Sequence, residues 1–358
     1  MIARARLLVA AGFAAAVVGG VATPARAEDG EALLSKAIQA YESHRFDEAY
    51  RYAVEASYKP SPRADTFALL GELQYLRQDL TAAKTSWERA LAMDPSRADV
   101  RQRMEQLRKE LPVEQALARS DTYPFVIRLS EGEAPVDLTE LRGLLRETYR
   151  MVGQHFDTFP NYPIAVIAYR QQDFSAMQAV PHQVRGLYDG KIRVPLPSGP
   201  HATKELTRVL WHEYAHVLIH DLSKSRCPIW LNEGLATVEE ARVHPFPLAK
   251  FREALVAAGG RPLPTKDGVS PNVVSWSDLW QEREYHDWLL EYRYGQAHLA
   301  AQYLVRVGGW PQMVRLLKRL GQGTTMDEAL RTEYHQDPKV LEDDWWAWVR
   351  RELSVTVR

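Results

Sequence analysis

His212, Glu213, His216 and Glu233 are the residues of this chain best placed to do metal chemistry. The first three stand in Trp211-His212-Glu213-Tyr214-Ala215-His216, an HExxH box, and the fourth in Trp230-Leu231-Asn232-Glu233-Gly234-Leu235-Ala236. On a helix, side chains four positions apart project from one face about 6 Å apart along the axis. Two imidazoles so placed can close on one metal ion. Glu213 points off at about 100° from His212, where it can touch a water at the metal rather than the metal itself. A second helix starting near Asn232 would deliver Glu233 as a third ligand. Two histidines and one glutamate are the ligand set of a zinc site that keeps a coordination position open for catalysis.

The surroundings support a rigid site. Leu206, Val209, Leu210, Val217, Leu218 and Ile219 make the helix around the box apolar nearly all round, the pattern of a buried element. Glu240 falls two turns after Glu233 on the same helical face and can orient a ligand histidine, or else be a solvated acid. His220 lies about 80° round the helix from His212 and 12 Å along it, too far for one ion to bind with the other two; it reads as a helix C-terminal histidine that complements the dipole. His201, His244, His286 and His298 lack metal spacing and read as surface or capping residues.

The elements that must position these groups belong to a chain of 358 residues, 46% hydrophobic and 10% aromatic, long enough for two domains. A formal net charge of -1 with interspersed signs excludes the footprint of a nucleic-acid binder. Residues 1–27 have the layout of a secretory signal: Arg4 and Arg6, an apolar run over 7–22, then Ala25-Arg26-Ala27 as a cleavage site. Cys227 is the single cysteine, so an internal disulfide is impossible. The expected product is soluble and exported, to a bacterial periplasm, with no transmembrane span in the mature chain.

Between 30 and 95 the sequence repeats with a period of 34: Phe46, Ala49 and Ala56 recur as Leu80, Ala83 and Ala90. Phe67, Leu70, Gly71, Ala83, Trp87, Ala90 and Pro95 give this segment a resemblance to the tetratricopeptide repeats, which implies two helical hairpins over 28–111, capped by a helix over 98–111. Pro112 opens a change of character. Residues 123–129 and 162–169 read as strands, 138–156 as an amphipathic helix, and 184–188 with 191–195 as a hairpin about Asp189-Gly190. From 202 onward the pattern is helical, with Thr325-Met326-Asp327-Glu328 as a capping box. The Trp345, Trp346 and Trp348 cluster reads as packing on a terminal helix.

Taken with the HExxH box and the later glutamate, residues 112–358 resemble the gluzincin zinc peptidases, the thermolysin-like and aminopeptidase-like group, and in particular their small peptidase MA-like members. The resemblance implies an α+β, mostly helical fold: a helical-hairpin repeat arm, then a thermolysin-like domain with a small sheet and a helical C-terminal half. It implies one Zn2+ ion on His212, His216 and Glu233, with Glu213 as general base. The tyrosine or histidine with which the family stabilises the oxyanion corresponds to Tyr292, in Tyr292-Arg293-Tyr294-Gly295; the other reading of Tyr292 and Tyr294 is that both are core aromatics. An extended substrate would add to a strand edge at Gly186-Leu187-Tyr188 or Ile192-Arg193-Val194. Two departures stand out. Sixteen residues separate His216 from Glu233, fewer than in the aminopeptidases, and no Gly-x-Met-Glu-Asn segment precedes the box, which argues against aminopeptidase specificity. The implied activity is that of a zinc endopeptidase acting on a peptide or protein substrate, with the arm recruiting substrate or a protein partner. The competing readings are a catalytically silent zinc domain in a repeat-based interaction module, and a hydrolase of non-peptide substrates.

Overall fold

The computed structural model describes residues 25–130, 136–171, 173–174, 187–188, 190–264, 271–281 and 290–357. The described residues begin with four helices in two hairpins, α1 (Ala25–Glu42), α2 (Phe46–Ser57), α3 (Ala64–Leu76) and α4 (Leu80–Met93). Helices α2 and α4 begin 34 residues apart, at 46 and 80, matching the period read from the sequence. Close packing follows from the small residues: a Cβ at Gly71 would lie 2.4 Å from the Trp87 ring, whose Nε1 donates to the Ala68 carbonyl at 3.2 Å. Most of the expected leader lies outside the described residues; its last three residues begin α1.

Helix α5 (Ala98–Glu114) runs through Pro112, three residues beyond the expected end at Leu111. A proline there forfeits one backbone hydrogen bond, in the last turn of the helix. The extra turn carries Glu114, which proves central to how the arm is held.

Five strands follow in the spatial order β1-β2-β3-β5-β4: β1 (Ala118–Thr122), β2 (Phe125–Leu129), β3 (Ile164–Arg170), β4 (Leu187–Tyr188) and β5 (Ile192–Leu196). Between β2 and β3 lies α6 (Leu138–Phe156), which makes β2 and β3 parallel, with Phe125 opposite Ile164. Strand β5 is parallel to β3, and β4 returns antiparallel on β5, with Tyr188 opposite Ile192. The expected strand start at 184–186 and Asp189 lie outside the described residues. Strand β1 was not expected from its polar sequence; it is an edge strand with one buried position, Ser120.

Both faces of the sheet are covered, which explains the unbroken apolar run in β3. Ile164, Val166 and Ala168 join the main core with Ile192, Val194 and Leu196 of β5. The intervening Ala165, Ile167 and Tyr169 face the other way and pack with Leu117 and with Val113 of α5.

On that second face sits a buried ion cluster. Glu114, fully buried, accepts from Lys191 Nζ at 2.9 Å, from the Tyr169 hydroxyl at 2.8 Å and from Arg193. Glu110 accepts from Lys191 at 3.0 Å, Arg193 at 2.7 Å and the Tyr75 hydroxyl at 2.7 Å. Two acids and two bases are thus matched; Glu114 accepts three hydrogen bonds and Glu110 four, the fourth from Gln106 Nε2 at 2.7 Å. Burial alone would raise the pKa of both acids, yet Arg193 and Lys191 hold them below the ordinary 4.5. A second contact joins arm to body: His44 Nδ1 lies 3.0 Å from Asp221, and Phe46 meets Tyr162 edge-on at 4.7 Å.

The C-terminal half is helical, as expected: α7 (Ala202–Ser223), α8 (Ile229–Glu240), α9 (Ala249–Ala257), α10 (Trp276–Gln281), α11 (Leu290–Gly321), α12 (Met326–Tyr334) and α13 (Pro338–Glu352). Helix α11 is two helical stretches meeting at Gly309, whose φ of 74° and ψ of 167° suit glycine. The Thr325–Glu328 capping box forms. Trp345, Trp346 and Trp348 are buried as packing residues. Among the described residues no helix is long and apolar enough to cross a membrane.

Candidate metal centre

Helix α7 carries the HExxH box through the middle of the main core. Leu206, Leu210, Tyr214, Ala215, Val217, Leu218 and Ile219 are all buried to the last per cent around it. The helix stops at Lys224, which takes the left-handed conformation with φ 48°. Pro228 then caps α8, which begins at Ile229, three residues before the expected Asn232.

The two helices pack antiparallel, and the hydrogen bonds show it. His216 Nδ1 lies 3.1 Å from Asn232 Oδ1 near the start of α8, while His212 Nδ1, one turn earlier on α7, lies 2.9 Å from Glu240 Oε2 at the end of α8. Between them comes Glu233. Its Oε2 lies 3.6 Å from His212 Nε2 and 3.7 Å from His216 Nε2. The two imidazoles meet edge-on with centroids 4.8 Å apart. His212, His216 and Glu233 form the one group of three or more metal-ligating side chains found among the described residues, with all ligand atoms within 4.8 Å.

This set fits a zinc ion. With each Nδ1–H donated to an oxygen acceptor, the Nε2 atoms are left as lone-pair donors. Tetrahedral ligands at about 2.0–2.1 Å from zinc stand roughly 3.4 Å apart, close to the separations seen. The side chains of His212, His216 and Glu233 are 16%, 9% and 13% exposed, so the centre is held largely within the core.

Electrostatics keep the donors in the right form. Burial raises the pKa of Glu233, but His216, His212 and a hydrogen bond from the Tyr294 hydroxyl outweigh it and hold the carboxyl below 4.5. Burial lowers the pKa of His216 and keeps it neutral. Cys227 is kept protonated by burial and by the charge of Glu233, so its thiolate is not an available nucleophile.

Glu213 is 3% exposed and sits between the ligands on α7, as its position in the box requires. Tyr292 is half-buried and packs against the main core; two residues on, Tyr294 is the tyrosine whose hydroxyl reaches Glu233. Positions two apart on a helix lie about 200° round from one another, so packing α11 on α8 presents one tyrosine and not the other. That packing is close: a Cβ on Gly234 would stand 2.4 Å from the Ala297 carbonyl oxygen.

The remaining histidines stand apart from the centre. His220 occupies the last turn of α7, its Nε2 2.6 Å from Ser225 Oγ. His201 and His244 are exposed, and His286 lies outside the described residues. His298 corrects the expectation of a surface or capping role: it is 3% exposed, stacked on Phe246 at 4.6 Å, and burial lowers its pKa to about 4. Asn232 and Tyr294 were not singled out in the sequence. Asn232 could have been found from its place beside Glu233; nothing local distinguishes Tyr294 from Tyr292.

Residues 199–351 match the family model of the Peptidase MA superfamily. The matched segment holds α7, α8, Tyr294 and the whole of the centre, and it supports a peptidase-like domain of that clan; the arm and the sheet precede it. Comparison with curated proteins returns no match.

Proposed function

We propose that this chain is an exported zinc-dependent endopeptidase in which His212, His216 and Glu233 hold one Zn2+ ion. The observation that carries the reading is the convergence of two oriented imidazoles and one carboxylate, 3.6 and 3.7 Å apart, beside a buried glutamate at the HExxH position. A match to the Peptidase MA superfamily over the segment that contains them adds support.

Bound zinc supplies Lewis acidity, lowering the pKa of water toward ~7 and polarising a carbonyl. Glu213 takes the proton released as water adds to the scissile carbonyl carbon, then hands it to the leaving nitrogen as the C–N bond breaks. A tyrosine hydroxyl of the 292–294 segment donates to the charge growing on the carbonyl oxygen. Of the pair, Tyr294 has the better claim, because its hydroxyl already lies at a ligand, while Tyr292 serves packing. Glu240 and Asn232 hold the ligand imidazoles in orientation. Substrate as an extended strand would lie along β4 or β5, both of which pack beside α7.

Export rests on the arrangement of residues 1–27, and the arm's role in recruiting substrate or a protein partner rests on its helical hairpins. Metal analysis together with a Glu213→Gln variant tests the core of the reading. Stoichiometric zinc and a loss of about 100-fold or more in hydrolysis of an unstructured protein are expected. Absence of metal, or a variant as active as the parent, would refute it.

A further inference from the structure

A guanidinium stands behind the metal centre with no part in the reaction as described. Arg208 Nη1 donates to Glu240 Oε1, the oxygen of Glu240 that His212 does not use. The other edge of the same guanidinium makes a fork with Glu205, from Nε to Oε2 at 3.0 Å and from Nη2 to Oε1 at 2.5 Å. Glu205, Arg208 and His212 lie three and four residues apart and so share one face of α7, while Glu240 reaches across from α8. Arg208 and Glu240 are 13% and 12% exposed, so little water competes for these bonds.

A glutamate has three rotatable bonds, and one hydrogen bond to an imidazole does not fix its plane. Pinning the second oxygen does. The planar fork of arginine suits this task because its donors are fixed and its charge is permanent, which keeps Glu240 an acceptor and His212 Nδ1 a donor. His216 is held differently, by the neutral amide oxygen of Asn232. The two imidazoles therefore depend on unlike supports, and only that of His212 relies on a charged chain.

We infer that Arg208 is a positioning residue for the metal centre: through Glu240 it sets the orientation of His212 and with it the affinity for metal. The inference rests on the reading of His212, His216 and Glu233 as a zinc site.

The test is zinc affinity of the full chain, measured by competition with a chromophoric chelator, for the parent, Arg208→Gln, Arg208→Lys and Arg242→Gln. Arg242 is the control, since it braces the neighbouring Glu239 of the same helix at 2.6 Å on the side facing His155. Loss of a residue that orients a ligand costs about 10- to 100-fold in metal affinity. Arg208→Gln is expected to show that loss, Arg208→Lys a smaller one because charge returns without the fork, and Arg242→Gln less than threefold. Arg208→Lys keeps charge and volume and carries the test if the glutamine variant does not fold. Equal affinity in the parent and both Arg208 variants, or equal losses in Arg208→Gln and Arg242→Gln, overturns the inference. A parent that binds no zinc overturns the metal reading itself, a result distinguishable from the others because it appears before any substitution.

Discussion

Replacing Glu114 by glutamine should loosen the arm from the body at a cost that can be worked out from the charges it meets. The fully buried Glu114 faces two cations, Lys191 and Arg193, and shares them with one other acid, Glu110. At an effective dielectric of about 20, a charge pair near 4 Å is worth about 4 kcal/mol. The substitution removes two such attractions, about 8 kcal/mol, relieves one longer repulsion from Glu110 and recovers part of the cost of burying the charge, leaving a loss of roughly 3–5 kcal/mol, the range found when one partner of a buried pair is deleted. That is a large fraction of the ~5–15 kcal/mol by which proteins are stable. The companion change Lys191→Met should recover much of the loss, because Glu110 and Arg193 then remain as a matched pair. Urea unfolding of the parent, both single variants and the double variant forms a thermodynamic cycle, followed by tryptophan fluorescence and by protease cleavage of the arm. Coupling of about 2 kcal/mol or more is expected. A cost below about 1 kcal/mol for Glu114→Gln, or a double variant whose loss equals the sum of the singles, would refute the charge-balance argument.

Deleting residues 28–111 should remove most of α5 from one face of the sheet and leave Lys191 and Arg193 without Glu110, giving aggregation; a monodisperse, active 112–358 fragment on size exclusion would contradict this. His298 has its pKa lowered to about 4 from 6.5, so the unfolded chain binds more protons between these values. Its contribution is full above pH 6.5 and lost as pH falls toward 4, about 2 kcal/mol between pH 7.5 and 5; His298→Leu should flatten that part of the urea-midpoint profile, and an unchanged slope would count against it. Gly234→Ala must push α8 from the Ala297 carbonyl, costing about 1–3 kcal/mol or more and lowering zinc content through the adjacent Glu233, both measurable by thermal unfolding and metal analysis. Thr325→Ala should cost about 1 kcal/mol by removing the α12 cap, with no effect on zinc content.

Local rules made much of this protein legible. Helical periodicity put His212 and His216 on one face, the two-turn interval put Glu240 on the face of Glu233, and the 34-residue recurrence gave the starts of α2 and α4. Turn chemistry gave the β4–β5 return and the capping box. These readings succeed because each depends on residues a few positions apart, whose relative directions are fixed by backbone geometry alone.

What sequence could not decide was which faces meet. Glu110 and Glu114 stand 77 to 83 residues from Lys191 and Arg193, and only the packing of α5 on the sheet brings the four together. Tyr294 reaches Glu233 because α11 crosses α8 at Gly234; with Tyr292 and Tyr294 on nearly opposite sides of one helix, the spacing could not choose between them. Buried His298 looks like any other histidine until Phe246 covers it. The sequence by itself put forward His212, His216 and Glu233 and the two helices that carry them. Tertiary structure alone decided what stands behind each donor, because contacts between elements are set by how whole apolar faces pack, and no short window of residues contains that choice.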